Sequence, residues 1–218
     1  EQRITALIGA NGAGKTTLLN MLSTIDRVTA GHIYYGETDI TELSDEALAE
    51  FRKDNLGFIF QDYNLLDTLT IEENIVLAMT LHSKSKREIQ EKCDHILKLL
   101  DIEEIRDKFP YQVSGGQKQR LCIARALIGK AKILIFDDST SAVDTATEKK
   151  IREALAARKN VTKIIIAQRV TSVMNTDQII ILDDGKVHRI GTHAELLADD
   201  PIYQEIYASQ MKGGDENG

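Results

Sequence analysis

With 218 residues, 42% hydrophobic and 28% charged, the chain can build one real hydrophobic core with a subdomain, and disorder along its whole length is excluded. Twenty-seven basic against 34 acidic residues leave a formal net charge of -7, the wrong sign for gripping nucleic acid through a general basic surface, so no direct nucleic-acid partner is expected. Its two cysteines, Cys93 and Cys122, lie in separate segments, which excludes a disulfide framework and a clustered thiolate metal site.

Short apolar, β-branched runs recur along the chain, each followed by turn chemistry or a helical pattern. They are ITALI at 4–8, LGFIF at 56–60, KILIF at 132–136, TKIII at 162–166 and QIIIL at 178–182, and they read as buried parallel strands. Tyr34 and Tyr35 in GHIYYG read as alternating strand residues. From 70 to about 130 no strand pattern is present, only three helical stretches. Two of these open with capping boxes, Thr70 with Glu73 and Ser85 with Glu88. In the second stretch Ile89, Cys93, Ile96, Leu97 and Leu100 recur at helical spacing and mark a buried stripe. The turn Asp183-Asp184-Gly185 predicts a final hairpin into KVHRI, and the tail MKGGDENG reads as a disordered end. The expected fold class is α/β, with a mostly parallel sheet and a helical insertion. No apolar run exceeds five residues, against the roughly 20 that cross a bilayer, and no signal peptide opens the chain. A reducing, cytoplasmic location is therefore expected, with membrane association only through a partner.

Residues 9–16, GANGAGKT, lie between a predicted strand and a predicted helix and match the phosphate-loop pattern G-x-x-x-x-G-K-[ST]. Gly9, Gly12 and Gly14 let the backbone, with Asn11 and Ala13, wrap a phosphate closely, while amides at the helix start, through Thr17, point at the anion. Lys15 is placed to hold the β and γ phosphates, and Thr16 to ligate magnesium. A second magnesium ligand is required at the end of a buried strand, and KILIFDD supplies Asp137. An Asp closing a strand can equally cap the segment that follows; beside GANGAGKT the metal reading is preferred.

The segment VSGGQKQRLCIARAL at 113–127, set between the phosphate loop and KILIFDD, resembles the signature motif and helix of ABC transporter nucleotide-binding subunits. Physically, Ser114, Gly115, Gly116 and Gln117 open a helix without an acidic side chain, a second anion-binding helix start. The resemblance covers nearly the whole chain: Gln61 after LGFIF looks like the family's Q-loop glutamine and SAVD, ending at Asp144, like its D-loop. It implies a P-loop NTPase (RecA-like) core, ATP and Mg2+ as ligands and a second nucleotide-binding domain paired head to tail, with the signature of one subunit at the γ-phosphate of the other. It also implies transmembrane subunits as partners, with Gln61 touching magnesium or the attacking water and linking the site to the membrane partner.

The sequence departs from the family's pattern in four places. Where the family carries a glutamate that polarises the attacking water, this chain has Asp138, one methylene shorter, which should slow the chemistry. Where it carries a switch histidine, this chain has Gln168, which donates a hydrogen bond but cannot become cationic. The chain begins almost at the phosphate-loop strand, without the family's earlier strands and adenine-stacking aromatic; losing such a stack costs about 1 to 3 kcal/mol. Lastly, the part up to about residue 117 resembles lipoprotein-release and peptide-antibiotic-detoxification ATPases, the rest the exporter type, and GANGAGKTT the amino-acid importers.

The expectation is one ATP-binding domain over 1–218, with a first core part at 1–64, a helical subdomain at 65–130, a second core part at 131–193, and C-terminal helices and tail at 194–218. It would bind Mg-ATP and hydrolyse it slowly, with Asp138, Gln168 and Gln61 in the catalytic roles. Two rivals are a recombined or engineered scaffold with little ATPase activity and a soluble non-transport ABC ATPase. The acidic charge and lack of a long coiled coil argue against the second.

Overall fold

The computed structural model describes residues 3–59, 63–80, 85–129, 131–137, 161–167 and 169–212. Along them run β1 (Ile4–Ile8), α1 (Lys15–Leu22), β2 (Tyr34–Tyr35), β3 (Thr38–Asp39), α2 (Asp45–Asn55), β4 (Leu56–Ile59), α3 (Ile71–Thr80) and α4 (Lys86–Leu99). These are followed by α5 (Gly115–Ile128), β5 (Ile133–Asp137), β6 (Thr162–Ile166), β7 (Gln178–Asp183), β8 (Lys186–Gly191), α6 (His193–Asp199) and α7 (Pro201–Lys212). The chain divides into two units, Glu1–Arg52 with Thr162–Gly218, and Lys53–Val161.

In the first unit β1 lies between β6 and β7 and runs parallel to both, with Ala6 opposite Ile165 on one side and Ile179 on the other. A central strand of a parallel sheet is buried on both faces, which selects apolar side chains, and Ala6, Leu7 and Ile8 are at most 3% exposed. The expected hairpin forms: β8 returns antiparallel to β7, with a register irregularity between Ile181 and Leu182. Against this sheet Ala6, Ile8, Ile179 and Ile181 pack with Leu196 of α6 and Tyr203 of α7. Fully burying side chains of this size stabilises by about 1.5 to 3 kcal/mol each. α6 opens with a capping box of Thr192 and Glu195. Between α6 and α7, buried Asp200 accepts from the Tyr203 amide at 2.8 Å and lies 2.9 Å from His188 Nε2. Burial pushes the Tyr203 phenol up to about 12. Helix α7 continues to Lys212, two residues into the segment read as a disordered end. That end offered only composition, whereas Tyr203, Ile206 and Tyr207 pack the helix onto the core.

Tyr34 and Tyr35 do form a strand, the two-residue β2 paired with β3. Tyr35 packs tilted against Phe51 at 5.1 Å between ring centroids and donates to the Leu22 carbonyl at 2.5 Å, and burial pushes its phenol up to about 12.

In the second unit β4 and β5 are parallel, Leu56 opposite Ile133 through Ile59 opposite Phe136. Gly57 permits this packing, since a Cβ there would sit 2.7 Å from Leu134 Cδ2 and 3.1 Å from the Ala131 Cβ. The three expected helices are α3, α4 and α5, and both boxed starts appear: Thr70 and Glu73 exchange both hydrogen bonds, while Ser85 accepts from the Glu88 amide. The predicted stripe is buried at Cys93, Ile96, Leu97 and Leu100, with Ile89 half-buried. Arg106 ties the helices together, donating to Glu72 at 2.6 and 3.2 Å and to Asp94 at 3.0 Å. Among the described residues no helix is long and apolar enough to cross a membrane.

Candidate functional site

The loop between β1 and α1 is shaped by what its backbone must avoid. At Gly9 a Cβ would lie 2.3 Å from the Leu182 carbonyl oxygen, a separation no side chain tolerates. Gly12 and Gly14 have φ of 83° and 93°, which glycine adopts without steric cost. Gly14 is the N-cap of α1 and offers no side-chain cap, and no acidic residue stands in the first turn. The amides of that turn, including exposed Thr16 and Thr17, thus form a helix start with positive potential.

Lys15 is 9% exposed and donates to the carbonyls of Gly9 at 2.8 Å and Ala10 at 2.9 Å. A buried ammonium curled over a glycine-lined helix start is a donor set suited to a phosphate group. Asn11 and Gly12 are exposed at the loop's rim and Ala13 is buried beneath it. The structure therefore brings Gly9, Asn11, Gly12, Ala13, Gly14, Lys15, Thr16 and Thr17 together in one unit.

The remaining described candidates belong to the second unit. Asp137 is the last residue of β5 and half-buried, the position required of a strand-end carboxylate. Ser114 and Gln117 make a complete capping box: Ser114 Oγ accepts from the Gln117 amide at 3.3 Å and Gln117 Oε1 from the Ser114 amide at 2.9 Å. Both side chains are thereby engaged with the helix itself, and Gly115 and Gly116 supply the first-turn amides of α5. Gln61, Asp138, Asp144 and Gln168 lie outside the described residues.

Two features of these sites escape a sequence reading. The first is the hairpin turn after β7, whose Gly185 amide donates to the Ala13 carbonyl at 3.2 Å. The second follows β4, where Tyr63 and Asn64 take φ of 60° and 45°. Left-handed backbone costs a residue with a side chain about 1 to 2 kcal/mol. Arg125 on α5 offsets this by donating to the carbonyls of Asn64 at 2.6 Å and Tyr63 at 3.0 Å, joined by the Cys122 thiol to Tyr63 at 3.1 Å. Burial pushes that thiol up to about 11, keeping it a donor. An arginine in a helix's last turn was the available signal, but its partners are distant in sequence.

Among the described residues, His32, Asp39 and Glu42 are a group of cation-ligating types within reach of one another. Asp39 is already engaged: the Thr41 hydroxyl and amide donate to it and His32 lies at 2.7 Å, contacts that hold its carboxyl below the ordinary range.

Comparison with known proteins gives a consistent set of likenesses. The family model described as ABC transporter matches residues 1–141. Bacitracin export ATP-binding protein BceA of Halalkalibacterium halodurans is 38% identical over 186 residues, covering 84% of this chain and 74% of that protein. Methionine import ATP-binding protein MetN of Haemophilus influenzae is 38% identical over 200 residues, covering 90% and 58%. Among solved structures, the dimeric ATP-binding cassette MJ0796 in a post-hydrolysis state bound to ADP and Pi superposes with a TM-score of 0.81 at 31% identity, covering 88% of this chain and 85% of that one. A bacterial Atm1-family ABC exporter with ATP bound gives a TM-score of 0.82 at 31% identity, covering 95% and 36%.

Proposed function

Because the chain belongs to the ABC transporter family, as a nucleotide-binding subunit, we propose that it binds Mg-ATP at its phosphate loop and hydrolyses it slowly, coupled to head-to-tail pairing with a second nucleotide-binding domain. The observation that carries this reading is buried Lys15 folded over a loop whose Gly9 admits no Cβ. In this reading Gly9, Asn11, Gly12, Ala13 and Gly14 line the β and γ phosphates, Lys15 neutralises them, and the first-turn amides through Thr17 complete the cradle. Thr16, Gln61 and Asp137 would hold Mg2+, which would supply charge neutralisation. Ser114, Gly115, Gly116 and Gln117 address the γ-phosphate bound by the partner subunit, with Asp144 beside it.

Asp138 orients the attacking water and Gln168 faces the γ-phosphate. The shorter carboxylate and the uncharged amide make this a slow site, since general-base catalysis contributes about 10²- to 10⁴-fold and depends on reach. The dimeric, ADP- and Pi-bound cassette MJ0796 supports pairing as the working state. Transmembrane subunits complete the transporter, as the export and import names of the relatives suggest. They bring this subunit to the cytoplasmic face of the membrane.

Titrating the purified chain with Mg-ATP while following both binding and oligomeric state tests the reading. Micromolar binding that drives dimer formation is expected; a folded chain that binds nothing up to millimolar ATP would overturn it. The catalytic assignment has its own test, for the double substitution Asp138→Glu with Gln168→His should raise turnover. Unchanged turnover in a folded, ATP-binding double variant would remove those two roles.

A further inference from the structure

The phosphate loop is held at one point by a distant part of the chain. The turn between β7 and β8 is a two-residue loop, with Asp184 and Gly185 at φ of 45° and 73°, the left-handed pair that tight hairpins favour. Its tip is exposed to solvent, yet the Gly185 amide donates to the Ala13 carbonyl at 3.2 Å. The contact is close along its length: a Cβ on Gly14 would lie 3.5 Å from the Gly185 Cα, and one on Gly9 would strike the Leu182 carbonyl. The hairpin is itself tied down through β8, where His188 Nε2 lies 2.9 Å from buried Asp200 and Arg189 donates to the Asp199 carbonyl at 3.2 Å.

We propose that the Asp184-Gly185 turn is a positioning element of the nucleotide site, which fixes the orientation of the Ala13-Gly14 peptide and so sets affinity for the triphosphate. The inference rests on the phosphate-loop reading above. A trans peptide carries its C=O and N–H on opposite sides. Pinning the Ala13 oxygen to the hairpin therefore aims the Gly14 amide away from the hairpin, as a fixed donor at the helix start. Without the pin this peptide flips at little cost, because Gly14 is as free at negative as at positive φ. The flip replaces an amide donor by a carbonyl oxygen, and an oxygen facing a phosphate repels it.

Two substitutions separate the hydrogen bond from the turn. Gly185→Pro removes the donor and cannot hold the observed φ of 73°, whereas Gly185→Ala keeps the donor and carries only the strain of a side chain at that left-handed φ, its Cβ meeting nothing within 4 Å. Gly185→Pro should weaken Mg-ATP binding about ten-fold or more, the loss of one hydrogen bond plus misorientation of the peptide. Gly185→Ala should stay within about three-fold. Both substitutions should lower the nucleotide-free unfolding midpoint, so affinities are compared at a temperature where circular dichroism shows the native chain and both variants folded, and the loss in Gly185→Pro beyond that in Gly185→Ala reports the hydrogen bond. Native affinity in a folded Gly185→Pro overturns the inference.

Hydrogen exchange of the Gly185 amide in the unaltered chain gives an answer even if that variant fails to fold. Slow exchange, slowed further by Mg-ATP, supports the brace, and exchange at the rate of a free turn overturns it. Lys15→Ala serves as the control. Native ATP affinity in Lys15→Ala would sink the phosphate-loop reading itself, while loss there with Gly185→Pro intact sinks the brace alone.

Discussion

Two helix starts in this protein are read as facing the same phosphate chemistry and are built in opposite ways. The start of α5 is self-contained, because Ser114 and Gln117 satisfy each other's amides within four residues. The start of α1 has no side-chain cap and takes its shape from elsewhere: the Leu182 carbonyl forbids a side chain at Gly9, and the Gly185 amide holds the Ala13 carbonyl. A capped helix start survives in isolation, whereas an uncapped loop that must bend tightly leaves its orphan amides for a ligand and needs outside support. The contrast teaches that a helix start whose amides are left open to a ligand gives up local stability and must be held from outside.

The contrast can be sharpened or broken by substitution. The largest effect is expected from Lys15→Ala, which removes the buried ammonium and should abolish measurable ATP binding; calorimetry with Mg-ATP decides it. Next comes Gly9→Ala, whose added methyl must displace the Leu182 carbonyl. Overpacking of this kind costs about 1 to 3 kcal/mol, and denaturant unfolding should show that loss together with weakened ATP binding. Full stability in Gly9→Ala would mean the loop is not shaped from outside.

Ser114→Ala should cost only about 1 kcal/mol, the usual price of a lost N-cap, with little change in ATP affinity of the isolated subunit. A loss confined to dimer formation would show that this helix start serves the partner's nucleotide. The smallest effect concerns the ion pairs of the second unit. Hydrogen bonds from Arg106 hold the Glu72 carboxyl below its ordinary value of 4.5. A carboxyl lowered in the folded state contributes stability that is complete above its unfolded pKa and lost as pH falls through the folded one. Glu72→Gln should therefore flatten the acid side of the stability profile, below about pH 4.5, by less than about 1 kcal/mol, the pair being partly exposed. An identical acid profile in that variant would assign the acid loss to other groups.

Much of the fold is legible without coordinates wherever a signal repeats locally. The runs at 4–8, 162–166 and 178–182 are dominated by apolar, β-branched residues, as strands of a buried parallel sheet are, and each forms its strand. The expected capping pairs Thr70 with Glu73 and Ser85 with Glu88 are separated by three residues, the distance over which a helix start closes on itself; the first exchanges both hydrogen bonds and in the second Ser85 accepts from the Glu88 amide. The phosphate loop was legible for the same reason, its residues being consecutive. The tail was less so: composition spoke for disorder from 211, and packing of Tyr203 and Tyr207 carried α7 to Lys212.

By itself, then, the sequence determined the α/β class, the family resemblance, the glycine-rich loop before α1 and the helix start of the signature, because each is written in neighbouring residues and governed by backbone sterics or short-range hydrogen bonds. Tertiary structure alone decided that Gly185 braces Ala13, that the Leu182 carbonyl explains Gly9, and that Arg125 with Cys122 holds the left-handed pair Tyr63 and Asn64. These contacts join residues far apart in the chain, and no local pattern encodes them. They exist only once β7 lies beside β1, and once α5 and the segment after β4 have packed within their own unit.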